Sequence, residues 1–74
     1  MTPVMLRQLW SSIEATQTNV LLTLDDASLV QWLMKQFKQE RALNRDETHI
    51  LSDYISSKIL LIRDLAHQRL VADS

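Results

Sequence analysis

Two histidines are the side chains of this sequence best suited to bind a metal ion or transfer a proton. His49 and His67 are 18 residues apart, which on one continuous helix separates them by five turns, or about 27 Å. They are therefore too far apart to bind one metal ion within a chain. Asp53 and Asp64 lie at helical spacing beside them, but a bundle metal centre needs Glu-x-x-His motifs on facing helices. We predict two solvated histidines, no metal site and no cofactor.

Serine is the other residue type that could support catalysis. A serine nucleophile needs a base within hydrogen-bond reach, and no base is evident for the serines on the polar faces of the predicted helices. The chain contains no Cys and no Gly, which excludes a thiolate nucleophile and a glycine-hinged nucleophile turn. We predict that the protein is not an enzyme. The serines concerned are Ser11, Ser12, Ser52, Ser56 and Ser57.

Four basic residues form a charged flank beside an apolar stripe. Lys35, Lys38, Arg41 and Arg45 project within about 120° of one another on a helix, and only Glu40 opposes them between positions 35 and 45. This basic flank is either a solvated face favoured by the helix dipole or the binding site of an anionic partner. The first such partner is an acidic protein surface, and the second is nucleic acid or a lipid headgroup.

Two polar residues interrupt the apolar stripes of the predicted helices. Gln17 lies near the middle of the stripe of helix 1, and Lys58 lies near the middle of that of helix 3. If helices 1 and 3 are parallel, the two residues share a level and can form a pair that fixes helix register, with the lysine ammonium reaching solvent. The alternative places Lys58 at an interface with another subunit or a partner.

A few large apolar residues fall outside the stripes. Leu22 and Val71 are two of them, and isolated exposed apolar residues are normal. Trp32 is different because aromatic residues are enriched at the centres of interfaces. We therefore define a candidate partner or oligomer interface that consists of Trp32, Lys58, Leu60 and Leu70.

The N-terminal segment predicts a long first helix. The dipeptide Thr2-Pro3 is typical of a helix start, because the hydroxyl accepts from a free N–H and proline has no N–H to satisfy. Apolar residues then recur every three or four positions, which predicts helix 1 over about residues 3–22, with Trp10 in the core. The alternative is a break at Asn19 followed by an extended segment over 20–24.

Two capping patterns predict the second helix and its end. Thr23, followed by Asp26, indicates a capping box, and we predict helix 2 over about residues 24–43. Asn44 can end this helix, since asparagine tolerates the left-handed conformation. With Glu47 three residues later, it can equally cap the next helix. The short connection favours antiparallel packing of helices 2 and 3.

The C-terminal segment predicts the longest helix, helix 3, over about residues 45–70. Its apolar residues cover about 180° of the helix surface, whereas a helix with one neighbour needs roughly a third of it. Two helices, or one helix and another subunit, are therefore expected to cover this face. The predicted fold is all-α, a three-helix up-down-up bundle that forms a homodimer.

Composition limits the class of protein. The chain has 74 residues, of which 46% are hydrophobic and 23% charged, and its net charge is −1. These values predict one helical domain over residues 1–74 and exclude a disordered or globally basic protein. The longest apolar run is the four residues 59–62, far short of the roughly 20 that cross a membrane. The first residues lack the features of a signal peptide, so we expect a cytoplasmic protein.

These observations favour a non-enzymatic protein–protein interaction module, and a regulatory role is one form that this function could take. The expected partner is a second copy of the chain, another protein, or both. The alternative is a small nucleic-acid-associated regulator that uses the basic flank. A helix-turn-helix arrangement would, however, place the carboxylates of Asp46 and Glu47 against the phosphates of the nucleic acid, and these negative charges repel one another.

Two segments carry a resemblance to a known family. LDDASLVQWL at 24–33 and LSDYISSKILLIRDLA at 51–66 resemble a family of small all-helical cyanobacterial proteins of unknown function. The resemblance implies a cytoplasmic protein of a photosynthetic bacterium. It transfers no functional residue, because the matching segments contain no catalytic or binding motif.

Overall fold

The computed structural model describes residues 2–72 and contains five helices over that range. Helices account for 86% of the described residues, and residues 2–72 contain no strand. The all-α prediction is confirmed, whereas the prediction of three helices is not. The helices are α1 (Pro3–Ala15), α2 (Thr18–Thr23), α3 (Asp26–Glu40), α4 (Arg45–Ser57) and α5 (Ile59–Ala72).

The segment predicted as one helix over 3–22 is two helices, α1 and α2. The chain is extended at Thr16 and Gln17, where ψ is 139° and 140°. The Thr16 hydroxyl donates to the carbonyl of Ser12 at 2.8 Å, and such local bonds compete with continuation of a helix. The alternative with an extended segment after Asn19 is also wrong, since this part of the chain is helical. Gln17 is exposed at the break and does not lie in an apolar stripe.

Helix α3 begins two residues later than predicted. Its N-cap is Asp25, whose side chain accepts from the backbone N–H of Ser28 at 2.8 Å. Thr23, the predicted cap, is instead the last residue of α2, and its hydroxyl donates to the carbonyl of Asn19. The helix ends at Glu40 rather than at 43, because Arg41 adopts an extended conformation.

The Asp25 cap gives the fold an acid-sensitive contact. Hydrogen bonds from the Ser28 side chain and backbone lower the pKa of the Asp25 carboxyl below 3.8. A carboxyl with a lowered folded-state pKa stabilises the fold above its unfolded-state pKa, and this stabilisation is lost as the pH falls through the folded value. We expect Asp25→Asn to remove this part of the acid destabilisation. Urea unfolding between pH 2 and 6 measures the pH dependence of stability for the original protein and for Asp25→Asn. Parallel profiles of the free energy of unfolding against pH would contradict the prediction.

The segment predicted as one helix over 45–70 is divided at Lys58. Its φ and ψ of −109° and 6° end α4, and α5 starts at the next residue. The start of α4 agrees with the sequence: the Asn44 side chain accepts from the Glu47 N–H at 2.7 Å, and the Glu47 carboxylate accepts from the Asn44 N–H at 3.1 Å. The predicted capping box is therefore confirmed.

The two halves of the predicted third helix pack against different neighbours. Helix α4 packs against α3, and α5 packs against α2, with further contacts between α1 and α3 and between α4 and α5. The wide apolar arc of residues 45–70 is thus the sum of two narrower stripes. Hydrogen bonds join Arg63 to the end of α2 and Arg69 to the end of α1. The α1–α2 segment therefore runs antiparallel to α5, not parallel to it as an up-down-up bundle requires.

One apolar cluster connects the five helices. Phe37 is the largest of its fully buried side chains, and Leu21 brings the short helix α2 into the same cluster. Trp10 was predicted in the core but is only partly buried and packs against the edge of the cluster. The buried members are Met5, Leu9, Ile13, Leu21, Leu29, Leu33, Met34, Phe37, Leu51, Ile55, Ile59, Ile62 and Ala66.

Candidate interaction surfaces

Two arginines of α5, here called the arginine clamps, fix the inner face of this helix. Arg63 donates to the carbonyls of Leu21 and Leu24, each at 2.8 Å, and forms an ion pair with Asp26 at 2.8 Å. A cation at the C-terminal end of a helix also interacts favourably with the helix dipole. Arg63 therefore satisfies carbonyls that the end of α2 leaves open.

Arg69 does the same for the end of α1. It donates to the carbonyl of Thr16 at 2.8 Å and to that of Ile13 at 3.2 Å. The chain has no glycine, which is the usual residue after a helix end, and the arginines supply the missing caps from a distant helix. Sequence reasoning did not find the clamps. The available signal was a pair of arginines interleaved with the apolar residues of segment 59–72.

Helix α5 exposes more large apolar side chains than any other described helix. Leu60 is 80% exposed and Val71 is 76% exposed. Leu60 and Leu70, both in the predicted interface, lie on this helix. The exposed residues are Leu60, Leu61, Leu65, Leu70 and Val71.

Lys58 and Trp10 both contact the side chain of Tyr54. The Trp10 Nε1–H donates to the Tyr54 hydroxyl at 3.1 Å, and the two rings pack edge to face with centroids 6.5 Å apart. The Lys58 ammonium lies 5.8 Å from the centroid of the Tyr54 ring, within the range of a cation–π contact. Lys58 is thus partly buried against Tyr54. The expected pairing with Gln17 is not formed, since Gln17 is exposed at the α1–α2 break.

Trp32 is separate from the other predicted interface residues. It is partly buried against the core, and it lines a hollow of about 310 Å³ between α3 and the α1–α2 break, together with Gln17 and Glu40. The structure therefore does not bring Trp32 onto the α5 surface with Leu60 and Leu70.

The structure divides the basic flank. Lys35 and Lys38 are exposed near the C-terminal end of α3. Arg41 turns toward α1, where it donates to the Gln8 side chain at 3.1 Å. Arg45 is exposed in the first turn of α4. Lys35 and Lys38 lie together on α3, whereas Arg41 and Arg45 lie beyond the end of that helix.

These two lysines border a groove between α3 and α4. The groove has a volume of about 500 Å³, with Val30 and Met34 as its apolar residues and Thr48 and Ser52 on the α4 side. A second hollow of about 420 Å³ shares Val30 and Ser52 and extends the groove toward Asp26. Early residues of α3 thus lie beside late residues of α4, which confirms their predicted antiparallel packing.

The residues first considered for chemistry are distributed over the surface. His49 and His67 are both exposed, and residues 2–72 contain no cluster of three or more His, Cys, Asp or Glu residues that could hold a metal ion. Ser52 and Ser56 line the α3–α4 groove and its extension, whereas the hydroxyl of Ser12 donates to Glu40 at 2.9 Å.

Comparisons with known proteins add no family to this description. No protein-family model, no curated protein and no solved structure matches the chain. The resemblance of residues 24–33 and 51–66 to a cyanobacterial family stays a prediction. In the described part of the chain, no helix has both the length and the apolar character needed to cross a membrane.

Proposed function

We propose that this chain is a protein–protein interaction module that binds an acidic amphipathic helix in the α3–α4 groove. The observation that carries the proposal is the combination of an apolar floor, formed by Val30 and Met34, with Lys35 and Lys38 on one border. Amphipathic helices bind such grooves through apolar residues at i, i+3 or i+4, and i+7. Methionine suits this floor because its unbranched side chain adapts to different partner surfaces.

The dimensions of the groove fit a short helix. With its extension, the groove follows α3 from Asp26 to Gln39, which corresponds to about 20 Å at 1.5 Å per residue. A partner helix of about 13 residues has the same length. It would offer three or four apolar side chains to the floor.

The charges favour an acidic partner in one orientation. Lys35 and Lys38 lie toward one end of the groove, and Asp26 lies at the other. Because Arg63 already binds Asp26, the two lysines are the charges left to select a partner. Complementary charge raises the association rate and discriminates against partners of the wrong sign. A regulatory role would follow if the partner helix belonged to an enzyme or a receptor.

Synthetic helical peptides test the proposal. One peptide of about 16 residues carries leucines at i, i+3, i+4 and i+7 with glutamates beside them, and a matched peptide replaces every glutamate with lysine. We expect fluorescence anisotropy to show at least about tenfold tighter binding of the acidic peptide, a ratio equivalent to about 1.4 kcal/mol. The double substitution Lys35→Glu/Lys38→Glu should reverse this preference, and Arg7→Glu, which changes an exposed cation of α1, should not.

A nucleic-acid partner is the competing hypothesis, since the same lysines would contact phosphates. Two observations weigh against a nucleic-acid partner. Arg41 is oriented toward Gln8, and Arg45 is followed in the chain by the acidic residues Asp46 and Glu47. Random-sequence duplex DNA is the probe, because nucleic-acid binding falls steeply with salt. Tighter binding of the DNA than of the acidic peptide, or equal binding of both peptides, would reject the proposed function.

A further inference from the structure

The outer face of α5 is complementary to itself. Leu60, Asp64, His67 and Val71 follow one another at spacings of four, three and four residues, and at 100° per residue they lie within about 60° of arc. All four side chains are exposed. They form a stripe that points away from the buried residues of the same helix, and we call it the outer stripe.

The order of residues in the outer stripe is complementary to its own reverse. It reads apolar, acidic, basic, apolar, and its midpoint falls between positions 65 and 66. A two-fold axis at that midpoint, perpendicular to the helix, places position 60 opposite position 71 and position 64 opposite position 67. Such an interface is isologous, because each contact occurs twice.

We infer that two copies of this chain associate through antiparallel packing of their α5 helices along the outer stripe. In this arrangement Leu60 packs against Val71 of the second copy, and the Asp64 carboxylate accepts a hydrogen bond from an imidazole N–H of the second His67. A neutral imidazole and an imidazolium can both donate this bond. Each contact is repeated by the symmetry.

Charge selects this arrangement over a parallel one. Parallel packing in the same register would place Asp64 against Asp64 and His67 against His67, which is unfavourable for the acidic pair. The antiparallel register pairs each acid with a base. It also buries Leu60 and Val71, the two most exposed large apolar side chains within residues 2–72.

The arginine clamps hold α5 against α1 and α2. Arg63 and Arg69 bond to carbonyls of those segments, so the outer stripe is presented by a helix that is already fixed in the monomer. Little of the helix then has to become ordered on association, which lowers the cost of binding. The inference is independent of the α3–α4 groove, since the two surfaces share no residue.

A single helix pair is a small interface. Stable complexes bury roughly 800 Å² on each partner, and smaller contacts are weak. We therefore expect association in the micromolar range, and sedimentation from about 5 to 500 µM should show the mass rising from 8.6 kDa toward twice that value. A constant monomer mass over this range would overturn the inference.

Cysteine cross-linking tests the register. The chain has no natural cysteine, so Leu60→Cys and Val71→Cys each introduce a single thiol. When the two variants are mixed and oxidised, the inferred pairing predicts mainly the 60–71 disulfide between chains. In this register, residue 60 of one copy lies roughly 16 Å along the helix axis from residue 60 of the other copy. The two copies of residue 71 are equally far apart. A product mixture in which 60–60 and 71–71 disulfides equal or exceed the mixed one would overturn the register.

Charge exchange tests the central contacts. Asp64→Lys places a cation opposite His67, and His67→Glu places a carboxylate opposite Asp64. Each variant alone should weaken association by about tenfold, whereas the double variant restores the opposite charges and should return to within about threefold of the original affinity. Val4→Lys, a change at an exposed apolar residue of α1, is the control and should leave association unchanged. Failure of the double variant to recover association would reject the Asp64–His67 contact.

Discussion

We expect Arg63→Met to lower the free energy of unfolding by about 3 kcal/mol. Each hydrogen bond from a charged donor contributes about 1.5–3 kcal/mol, and Arg63 donates two to the carbonyls of Leu21 and Leu24. Its ion pair with Asp26 adds little, because the Asp26 side chain is 77% exposed and exposed pairs are weak. Methionine keeps the apolar stem but removes the donors, so the carbonyls at the end of α2 lose their partner.

Urea unfolding followed by circular dichroism measures this effect. Arg7→Met is the matched control, since it removes an exposed arginine of α1 and should change stability by less than about 0.5 kcal/mol. Arg63→Lys should fall between the two, because an ammonium is a point donor that cannot reproduce the planar fork of arginine. Equal stability of the Arg63→Met and Arg7→Met proteins would contradict the capping role of Arg63.

The second large effect is expected at Leu21. This residue is completely buried, although it lies on a helix of only six residues, which is too short to be stable alone. Truncation of a buried leucine costs about 2–5 kcal/mol, and a domain of this size has only a few times that stability to lose. We therefore expect Leu21→Ala to leave a protein with markedly lower thermal stability.

Its neighbour provides the control. Leu22 is partly buried at the margin of the cluster, and Leu22→Ala should cost about 1 kcal/mol or less. Leu21 and the Arg63 clamp hold the same short helix, so their effects should be non-additive in a double-mutant cycle. If Leu21→Ala and Leu22→Ala lower the free energy of unfolding by similar amounts, α2 is not fixed by its buried face.

Local signals in the sequence predicted local features of the fold correctly. The Asn44–Glu47 capping box depends on residues three positions apart, and it marks the start of α4 as predicted. The two helix breaks were missed because the apolar spacing continues through Thr16 and Lys58, and neither glycine nor proline marks them. At Thr16 the break is stabilised by the local bond to Ser12 and also by Arg69, which is 53 residues away, and no local pattern could reveal this second contact.

For the candidate surfaces too, features set within one helix were predicted correctly and features set by the packing of two helices were not. Leu60 and Leu70 were identified correctly as lying outside the apolar stripes, because helical periodicity is enough to place a residue on an outer face. The basic flank was predicted as one surface, but it spans the non-helical connection between α3 and α4, where the azimuths of a continuous helix no longer apply. The groove beside Lys35 and Lys38 depends on how α3 and α4 dock, and periodicity within one helix carries no information about that.

The arginine clamps also join the first two helices to the segment of the chain that is synthesised last among the described helices. Their bonds to backbone carbonyls close chain segments of 39 to 56 residues, and long closures slow folding because their entropic cost precedes the gain from the contact. About 40 residues separate the end of α2 from Arg63, and at roughly 5–20 residues per second their synthesis takes about 2–8 seconds. For those seconds the nascent chain holds helix ends without caps and the uncovered side chain of Leu21. Synthesis of α5 thus supplies the side chains that complete the helix ends of the N-terminal half.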